Sequence, residues 1–200
     1  MANKQVIRRW AKRLYRLSLW PRLLALALKR RIYGIEAVNE KLAASTIGVS
    51  EILVHFGARI GPECVVHGPL IVHNAGRDYS NLVIGRKVHV GRGVLLDLTD
   101  RILLEAESVI SMNCTLLTHQ DVGDRPLKSQ HPRRVEALTI GSGAYLGANV
   151  TVLAGCHVGA RTTIGAGAVV TRPLPDDTTA VGVPARIVRQ PEIETEGRDR

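Results

Sequence analysis

The sequence predicts an all-β fold, a parallel β-helix of about five coils. Aliphatic residues recur at every sixth position, most regularly in the series Ile140, Leu146, Val152, Val158, Ile164 and Val170. Four of these six residues are followed by glycine, and the residue two places before the next aliphatic residue is small. Aromatic residues are nearly absent from this part of the chain, since only Phe56, Tyr79 and Tyr145 lie beyond residue 40.

A period of six fits neither an α-helix nor an alternating strand. It fits three short strands in a coil of about eighteen residues, each strand with one aliphatic side chain pointing inward. We expect the glycines to allow corner conformations that a Cβ atom resists. The same spacing occurs earlier in the chain, at Val54, Ile60, Val66 and Val72, at Ile84, Val90, Leu96 and Ile102, and at Leu104, Ile110 and Leu116.

Charge and composition divide the 200 residues into three segments. Residues 1–46 form a basic helical arm, residues 47–190 form the repeat domain, and the polar residues 191–200 are predicted to be disordered. The net charge is +9, but residues 1–34 hold ten Lys and Arg and no acidic residue. The β-helix itself is therefore almost neutral, and we expect no nucleic-acid partner.

The arm has two possible roles. Trp10, Leu14 and Leu17 line one face of a predicted helix, and Pro21 is expected to kink or split it. The helix either caps the open end of the β-helix or lies on an anionic membrane through residues 4–31, and one helix can do both. The apolar run from residue 23 to 28 is far shorter than the roughly 20 residues that span a bilayer, and a signal peptide is not indicated.

The three cysteines indicate a reduced, cytoplasmic protein. Cys64, Cys114 and Cys156 each occupy the small position of a repeat, which favours a buried thiol. Their odd number and the absence of a CxxC motif favour neither a disulfide framework nor a zinc site. No metal is expected.

Two segments interrupt the six-residue repeat. Residues 73–83 insert about one extra strand, and residues 120–137, immediately after His119, show no such period. Loops that leave a rigid scaffold often carry function, so the second interruption marks the candidate site.

The residues around this second loop resemble a known family. ILLEAESVISMNCTLLTH, the loop itself, and LTIGSGAYLGANVTVLAGCHVGARTTIGAGAVVTRPLPDDTTAVGVPARIVR are similar to the sugar O-acetyltransferase branch of the hexapeptide-repeat acyltransferases. Maltose, galactoside and nodulation-factor acetyltransferases belong to this branch. The resemblance covers roughly residues 84–190. It implies a left-handed coil, acetyl-CoA as acyl donor, and a homotrimer with its sites between neighbouring subunits.

The resemblance also implies roles for individual residues. His119, at the root of the loop, corresponds to the family's general base, and a neutral imidazole suits that task. Asp97 corresponds to an acceptor-binding aspartate. His89 stands where the family commonly carries an acceptor-binding asparagine. The positions that correspond to the family's coenzyme-binding residues are Ala148, Ala166, Thr171, Arg172, Arg186 and Arg189.

The predicted function is transfer of an acetyl group to a hydroxyl of a carbohydrate or a lipid-linked sugar, at the cytoplasmic face of a membrane if the arm binds lipid. Three alternatives remain. The first is an N-acyltransferase acting on an amino sugar. The second is a γ-carbonic-anhydrase-like metal enzyme using His67, His73 and His119. The third is a non-catalytic β-helix scaffold.

Overall fold

The fold is the predicted left-handed parallel β-helix, preceded by three helices. It is seen in a computed structural model that describes residues 19–190. The helices are α1 (residues 19–33), α2 (Glu36–Ala44) and α3 (Val49–His55). The first strand of the β-helix follows directly, at Arg59.

Three sheets form the faces of the prism, and neighbouring strands in each sheet come from successive coils. Sheet A contains β1 (Arg59–Ile60), β4 (Leu82–Ile84), β7 (Ile102–Leu104), β12 (Leu138–Ile140) and β15 (His157–Val158). Sheet B contains β2 (Val65–Val66), β5 (His89–Val90), β8 (Val109–Ile110), β13 (Tyr145–Leu146), β16 (Thr163–Ile164), β18 (Thr179–Val181) and β19 (Arg186–Arg189). Sheet C contains β3 (Leu70–His73), β6 (Val94–Asp97), β9 (Thr115–Leu116), β14 (Thr151–Val152) and β17 (Val169–Val170).

Each of five coils contributes one strand to every sheet, which confirms the predicted coil number. A sixth coil begins with Leu174, which bridges to Val158, and continues into β18. The chain then reverses, because β19 runs antiparallel to β18 at the C-terminal end of the prism.

The interior is the continuous aliphatic column that the repeat predicts. Every repeat aliphatic residue from Ile84 to Val170 is at most 3% exposed. Ile102 and Leu104 both point inward from β7, so the repeat shifts its phase within one strand. Burying such a side chain stabilises the fold by about 1.5–3 kcal/mol, and the stacked coils therefore depend on the whole column.

The repeat begins later than the sequence suggests. The prediction that Val54 is an inward-pointing residue of the first coil is wrong, because it lies in α3 with 51% of its surface exposed. Helix α3 thus lies within residues 47–190, ahead of the β-helix. Its buried Ile52 and Leu53 pack against the end of the core.

The repeat glycines serve a different purpose from the predicted one. The backbone of Gly147 does not adopt a left-handed conformation. A Cβ atom there would lie 2.6 Å from the amide nitrogen of Ala166 in the next coil. Glycine after an inward aliphatic residue therefore permits close approach of successive coils. The left-handed corner positions lie elsewhere, and Asn113 and Asn149 occupy two of them.

Helices α2 and α3 cover the N-terminal end of the prism. Val38 and Leu42 of α2 are fully buried in the same core as the first coils. The long connection between β3 and β4 reaches this cap, where the Tyr79 hydroxyl donates a 2.8 Å hydrogen bond to Asn39 Oδ1. This connection is the first predicted interruption of the repeat.

Helix α1 packs through one side only. Leu19 and Leu26 are buried, whereas Trp20, Leu24 and Leu28 are each more than 60% exposed. Pro21 is the third described residue of α1. Residues 1–18, on which the predicted kink depends, lie outside the described part of the chain, as do most of the predicted lipid-binding segment and residues 191–200. Between residues 19 and 190, no helix has the length and apolar character needed to cross a bilayer.

The second interruption leaves the prism after coil three. It begins with β10 (His119–Gln120), contains a 3₁₀ turn at Pro126–Ser129, and returns through β11 (Arg134–Val135). Strands β10 and β11 pair antiparallel, with His119 opposite Val135. This projecting loop is anchored to the edge between sheets C and A.

Candidate active site

His119 and Asp97 lie next to each other at the root of the projecting loop. His119 Nδ1 is 2.6 Å from Asp97 Oδ2, and the His119 backbone amide donates to the same oxygen over 2.9 Å. The β-helix brings them together. Strand β6 ends at Asp97 and pairs with β9, which ends just before His119. The side chain of His119 is 28% exposed, whereas that of Asp97 is 2% exposed.

The Asp97 carboxylate is satisfied entirely by the protein. Its Oδ1 accepts hydrogen bonds from Asn74 Nδ2 at 2.9 Å and from the Thr99 hydroxyl at 2.8 Å. Its Oδ2 accepts the Thr118 amide at 3.0 Å in addition to the two bonds from His119. Burial raises the pKa of Asp97, but the hydrogen bonds outweigh burial and hold this pKa well below its usual range.

This arrangement corrects the predicted contact between Asp97 and the acceptor. A buried carboxylate with both oxygens occupied offers no lone pair to a sugar hydroxyl in the groove. The sequence places Asp97 on the correct edge of the coil, but position within a repeat does not determine which way a carboxylate turns. Among the residues that its carboxylate binds, only His119 lines the groove.

The pair fixes the tautomer of His119. An ionised carboxylate only accepts hydrogen bonds, so Nδ1 must carry the proton that it shares with Asp97. In the neutral imidazole, Nε2 then holds a lone pair. His119 is therefore arranged to accept a proton at Nε2, and Asp97 would stabilise the imidazolium that results.

A groove of about 360 Å³ opens in front of His119. Its walls come from the edge of sheet C and from the projecting loop. It brings His119 together with two of the predicted coenzyme-binding residues, Thr171 and Arg172. The remaining lining residues are Leu117, Gln120, Arg134, Glu136, Leu153, Ala154, Gly155, Cys156 and Pro173.

Two charged residues in this groove were not predicted. Arg134 donates to both carboxylate oxygens of Glu136, with Nη2 at 2.9 and 3.0 Å. The Glu136 amide donates to Thr118 O over 2.9 Å, which ties the pair to the residue before His119. The six-residue repeat gives no signal for them, because they lie in the loop outside it.

His89 lies apart from His119 within the chain. It projects from β5 in sheet B, and its ring centroid is 5.2 Å from that of His67. Burial and the nearby His67 lower the pKa of His89. This shift favours the neutral imidazole. His89 does not line the described groove.

The other predicted coenzyme residues lie at two further places. Ala148 and Ala166 follow stacked sheet-B strands, at the corner where the chain turns towards sheet C. Arg186 and Arg189 are exposed on β19. Arg189 lines a second, polar groove of about 420 Å³ together with Arg161 and Thr163.

Within residues 19–190, no group of three His, Cys, Asp or Glu side chains could hold a metal ion. Of the predicted metal ligands, His119 uses Nδ1 to bind Asp97. The donor set therefore gives no support to a metal centre formed by His67, His73 and His119. All three cysteines are free thiols, with Cys114 and Cys156 buried as predicted and Cys64 partly exposed.

Comparison with known proteins agrees with this architecture. Residues 138–172 match the family model described as bacterial transferase hexapeptide (six repeats). Over these residues the chain carries the hexapeptide repeat of that model. This match confirms the predicted resemblance at the level of the repeat.

Curated proteins that are similar to this chain include serine acetyltransferases. The serine acetyltransferase of Escherichia coli K12 is 37% identical over 117 residues, which cover 55% of this chain and 39% of that protein. The chain thus spans well under two thirds of the length of this relative. The sequence similarity concerns these 117 aligned residues.

Solved structures show the same fold. A galactoside acetyltransferase in complex with coenzyme A has a TM-score of 0.67 and 22% identity over 78% of each chain. A maltose O-acetyltransferase from Clostridium difficile 630 has a TM-score of 0.66 and 20% identity, over 82% of this chain and 87% of that chain. At these identities the likeness establishes the left-handed β-helix.

Proposed function

We propose that this hexapeptide-repeat protein is an acetyl-CoA-dependent O-acetyltransferase that acts on a carbohydrate hydroxyl. The observation that carries the proposal is the His119–Asp97 pair, with Nε2 of His119 available at a groove. A proton acceptor held in one tautomer by a buried carboxylate is the arrangement that general-base catalysis needs.

The reaction is a direct transfer. Nε2 of His119 takes the proton from the acceptor hydroxyl while its oxygen attacks the thioester carbonyl carbon. Asp97 stabilises the imidazolium, and backbone amides at the coil edge stabilise the oxyanion. When the carbon–sulfur bond breaks, His119 returns the proton to the departing thiolate, which gives an acetyl ester and free coenzyme A.

Ala148, Ala166, Thr171, Arg172, Arg186 and Arg189 are proposed to bind the coenzyme. The small side chains at the sheet B to sheet C corner leave backbone accessible to a pantetheine arm. The exposed guanidinium groups of Arg186 and Arg189 suit phosphate groups. Ala148, Ala166, Arg186 and Arg189 lie apart from the groove that holds His119, Thr171 and Arg172. A homotrimer with sites between subunits accounts for the full set, with His89 contributing to acceptor binding from such an interface.

The coenzyme assignment is tested by replacing Arg186 and Arg189 with Ala. The Michaelis constant for acetyl-CoA should rise, and it should rise less for a donor that lacks the 3′-phosphate. Equal effects on both donors would remove these arginines from the phosphate site.

A second candidate acceptor is serine, because 117 residues of the chain align at 37% identity with a serine acetyltransferase. The same His119 chemistry would transfer acetyl to its hydroxyl. An amino sugar would make the enzyme an N-acyltransferase through an equivalent proton transfer. The carbohydrate, serine and amino-sugar candidates therefore differ in their acceptor, and His119 has the same role in all three.

We further propose that the arm attaches the protein peripherally to an anionic membrane surface at its cytoplasmic face, where lipid-linked sugars would be its acceptors. Support comes from α1, where Trp20, Leu24 and Leu28 are exposed opposite its buried side. Lys29 and Arg31 are also exposed on this helix. Aromatic, aliphatic and basic groups together favour an interfacial helix.

The function is tested by supplying labelled acetyl-CoA with a panel of acceptors. The panel contains maltose, a β-galactoside, chitin oligosaccharides, lipid-linked sugars, glucosamine and L-serine. We expect label in a neutral carbohydrate as an alkali-labile ester. Transfer only to glucosamine as an alkali-stable amide, only to serine, or to none of the acceptors would contradict the proposal.

A further inference from the structure

Arg134 and Glu136 form a charged pair inside the groove that contains His119. Glu136 begins the return of the loop to the prism, one residue after β11, and its amide donates to Thr118 O at 2.9 Å. The pair is therefore held beside the proton-accepting residue, although both side chains remain about half exposed.

The prism is shaped to receive the Glu136 carboxylate. Gly155 has a φ of +75°, and a Cβ atom on it would clash with Glu136 Oε2. A residue with a side chain at this position would displace the carboxylate from the groove wall. Gly155 itself lines the same groove.

The charges within the groove restrict what the pair can recognise. Glu136 supplies the only carboxylate among the described lining residues, and Arg134 contacts both of its oxygens. An ammonium group would have to compete with this guanidinium. The pair is neutral as a unit, but it retains carboxylate lone pairs and N–H groups that suit adjacent hydroxyls.

We propose that Arg134 and Glu136 bind the acceptor, and that they select an uncharged polyhydroxyl compound over an amino acid or an amine. This inference rests on the proposed function and assigns its acceptor-binding residues. The acceptor places one hydroxyl at His119 Nε2, while neighbouring hydroxyls donate to Glu136 and accept from Arg134. Recognition comes from the returning end of the loop, and proton transfer comes from His119 at its root.

The test compares Arg134→Gln and Glu136→Gln with the wild-type protein, using maltose, a β-galactoside, glucosamine and L-serine as probes. For the neutral sugar with the highest kcat/KM, each variant should raise the acceptor KM about 10-fold, the loss expected for a partly exposed charged hydrogen bond. The KM for acetyl-CoA should change less than about 2-fold.

The matched control is the neighbouring pair Arg133–Asp121, which is in the same loop at 3.4 Å but does not line the groove. Arg133→Gln and Asp121→Asn should leave the acceptor KM within about 2-fold. An equal rise in the control variants would show that loop stability alone is responsible and would overturn the proposal.

A charge-swapped variant, with Arg134→Glu and Glu136→Arg together, separates recognition from structure. It keeps an ion pair but exchanges the donor and acceptor positions, so the KM for the neutral sugar should stay high. Recovery of wild-type KM would overturn the proposal.

Calorimetric titration of the wild-type protein with each probe tests selectivity without turnover. Preference for L-serine or glucosamine, or no binding of either neutral sugar, would overturn the inference, while transfer to a charged acceptor would still show an acetyltransferase. A protein that binds neutral sugars through this pair but transfers no acetyl group would instead contradict the proposed function.

Discussion

At the scale of single residues, the site depends on how a buried carboxylate controls one imidazole. The Asp97 carboxylate has seven hydrogen-bonding groups around it, from Asn74, Thr99, Thr118 and His119. Of the residues in this network, only His119 lines the groove. The carboxylate therefore acts through the histidine, as a residue that positions and stabilises it.

Replacing His119 with Ala should lower the acetyl-transfer rate by about 10²- to 10⁴-fold, the range expected when a general base is lost. Coenzyme affinity should change little, because His119 Nε2 acts on the acceptor. The measurement is single-turnover transfer with saturating donor. His157→Ala, an exposed histidine on β15, is the control; near-normal turnover in the His119 variant would exclude the assigned role.

Asp97→Asn should lower both activity and stability at neutral pH, because an amide NH₂ would face several hydrogen-bond donors. The free energy of unfolding should fall by about 2 kcal/mol. The folded pKa of Asp97 lies below its unfolded value. Its contribution is therefore present above about pH 4 and is lost as the pH falls further. Denaturant unfolding at pH 7 and pH 3 should show the difference between variant and wild type shrinking at pH 3.

At the scale of elements, the regular six-residue spacing predicts the strands and the buried column well, because every coil buries one aliphatic side chain per strand in the same way. It fails where the chain leaves the repeat. Val54 has the right spacing but lies in α3. Arg134 and Glu136 lie in the loop, where no period constrains them, so only the folded chain reveals their contact with the groove.

Gly147→Ala should destabilise the β-helix by about 3 kcal/mol or more, because the new Cβ would lie 2.6 Å from a backbone nitrogen of the next coil. Gly167→Ala is the matched control. Gly167 has a φ of +72° but open space around it, so it should lose only about 1–2 kcal/mol through backbone strain. Equal losses in thermal or denaturant unfolding would show that close approach of the coils does not explain the repeat glycines.

At the scale of the whole molecule, α1 has an apolar outer side although α2 and α3 already cover the N-terminal end of the prism. Leu42 of α2, Leu53 of α3 and Phe56, directly after α3, are already buried against the first coils. The buried side of α1 adds Leu19 and Leu26 to that cap. Capping therefore explains one side of α1, and the side with Trp20, Leu24 and Leu28 needs a different explanation.

The proposed contact with an anionic bilayer would account for both the apolar side and the charge of the arm. The ten basic residues within residues 1–34 have no acidic residue among them, and each basic residue near an anionic surface contributes about 1 kcal/mol. The full-length protein should co-sediment with vesicles containing anionic lipid, and a chain beginning at Gly34 should not. Binding should weaken as salt rises, because the Debye length falls below about 10 Å above 0.1 M salt.

A point variant avoids the risk that truncation harms the fold. Leu24→Ser with Leu28→Ser changes only exposed side chains of α1 and should reduce vesicle binding while leaving thermal stability and oligomeric state unchanged. Replacement of Leu26, on the buried side, with Ser should instead reduce stability. If the exposed-side variant binds vesicles like the wild type, or if the wild type ignores anionic vesicles at low salt, the arm serves the prism alone and lipid is not its partner.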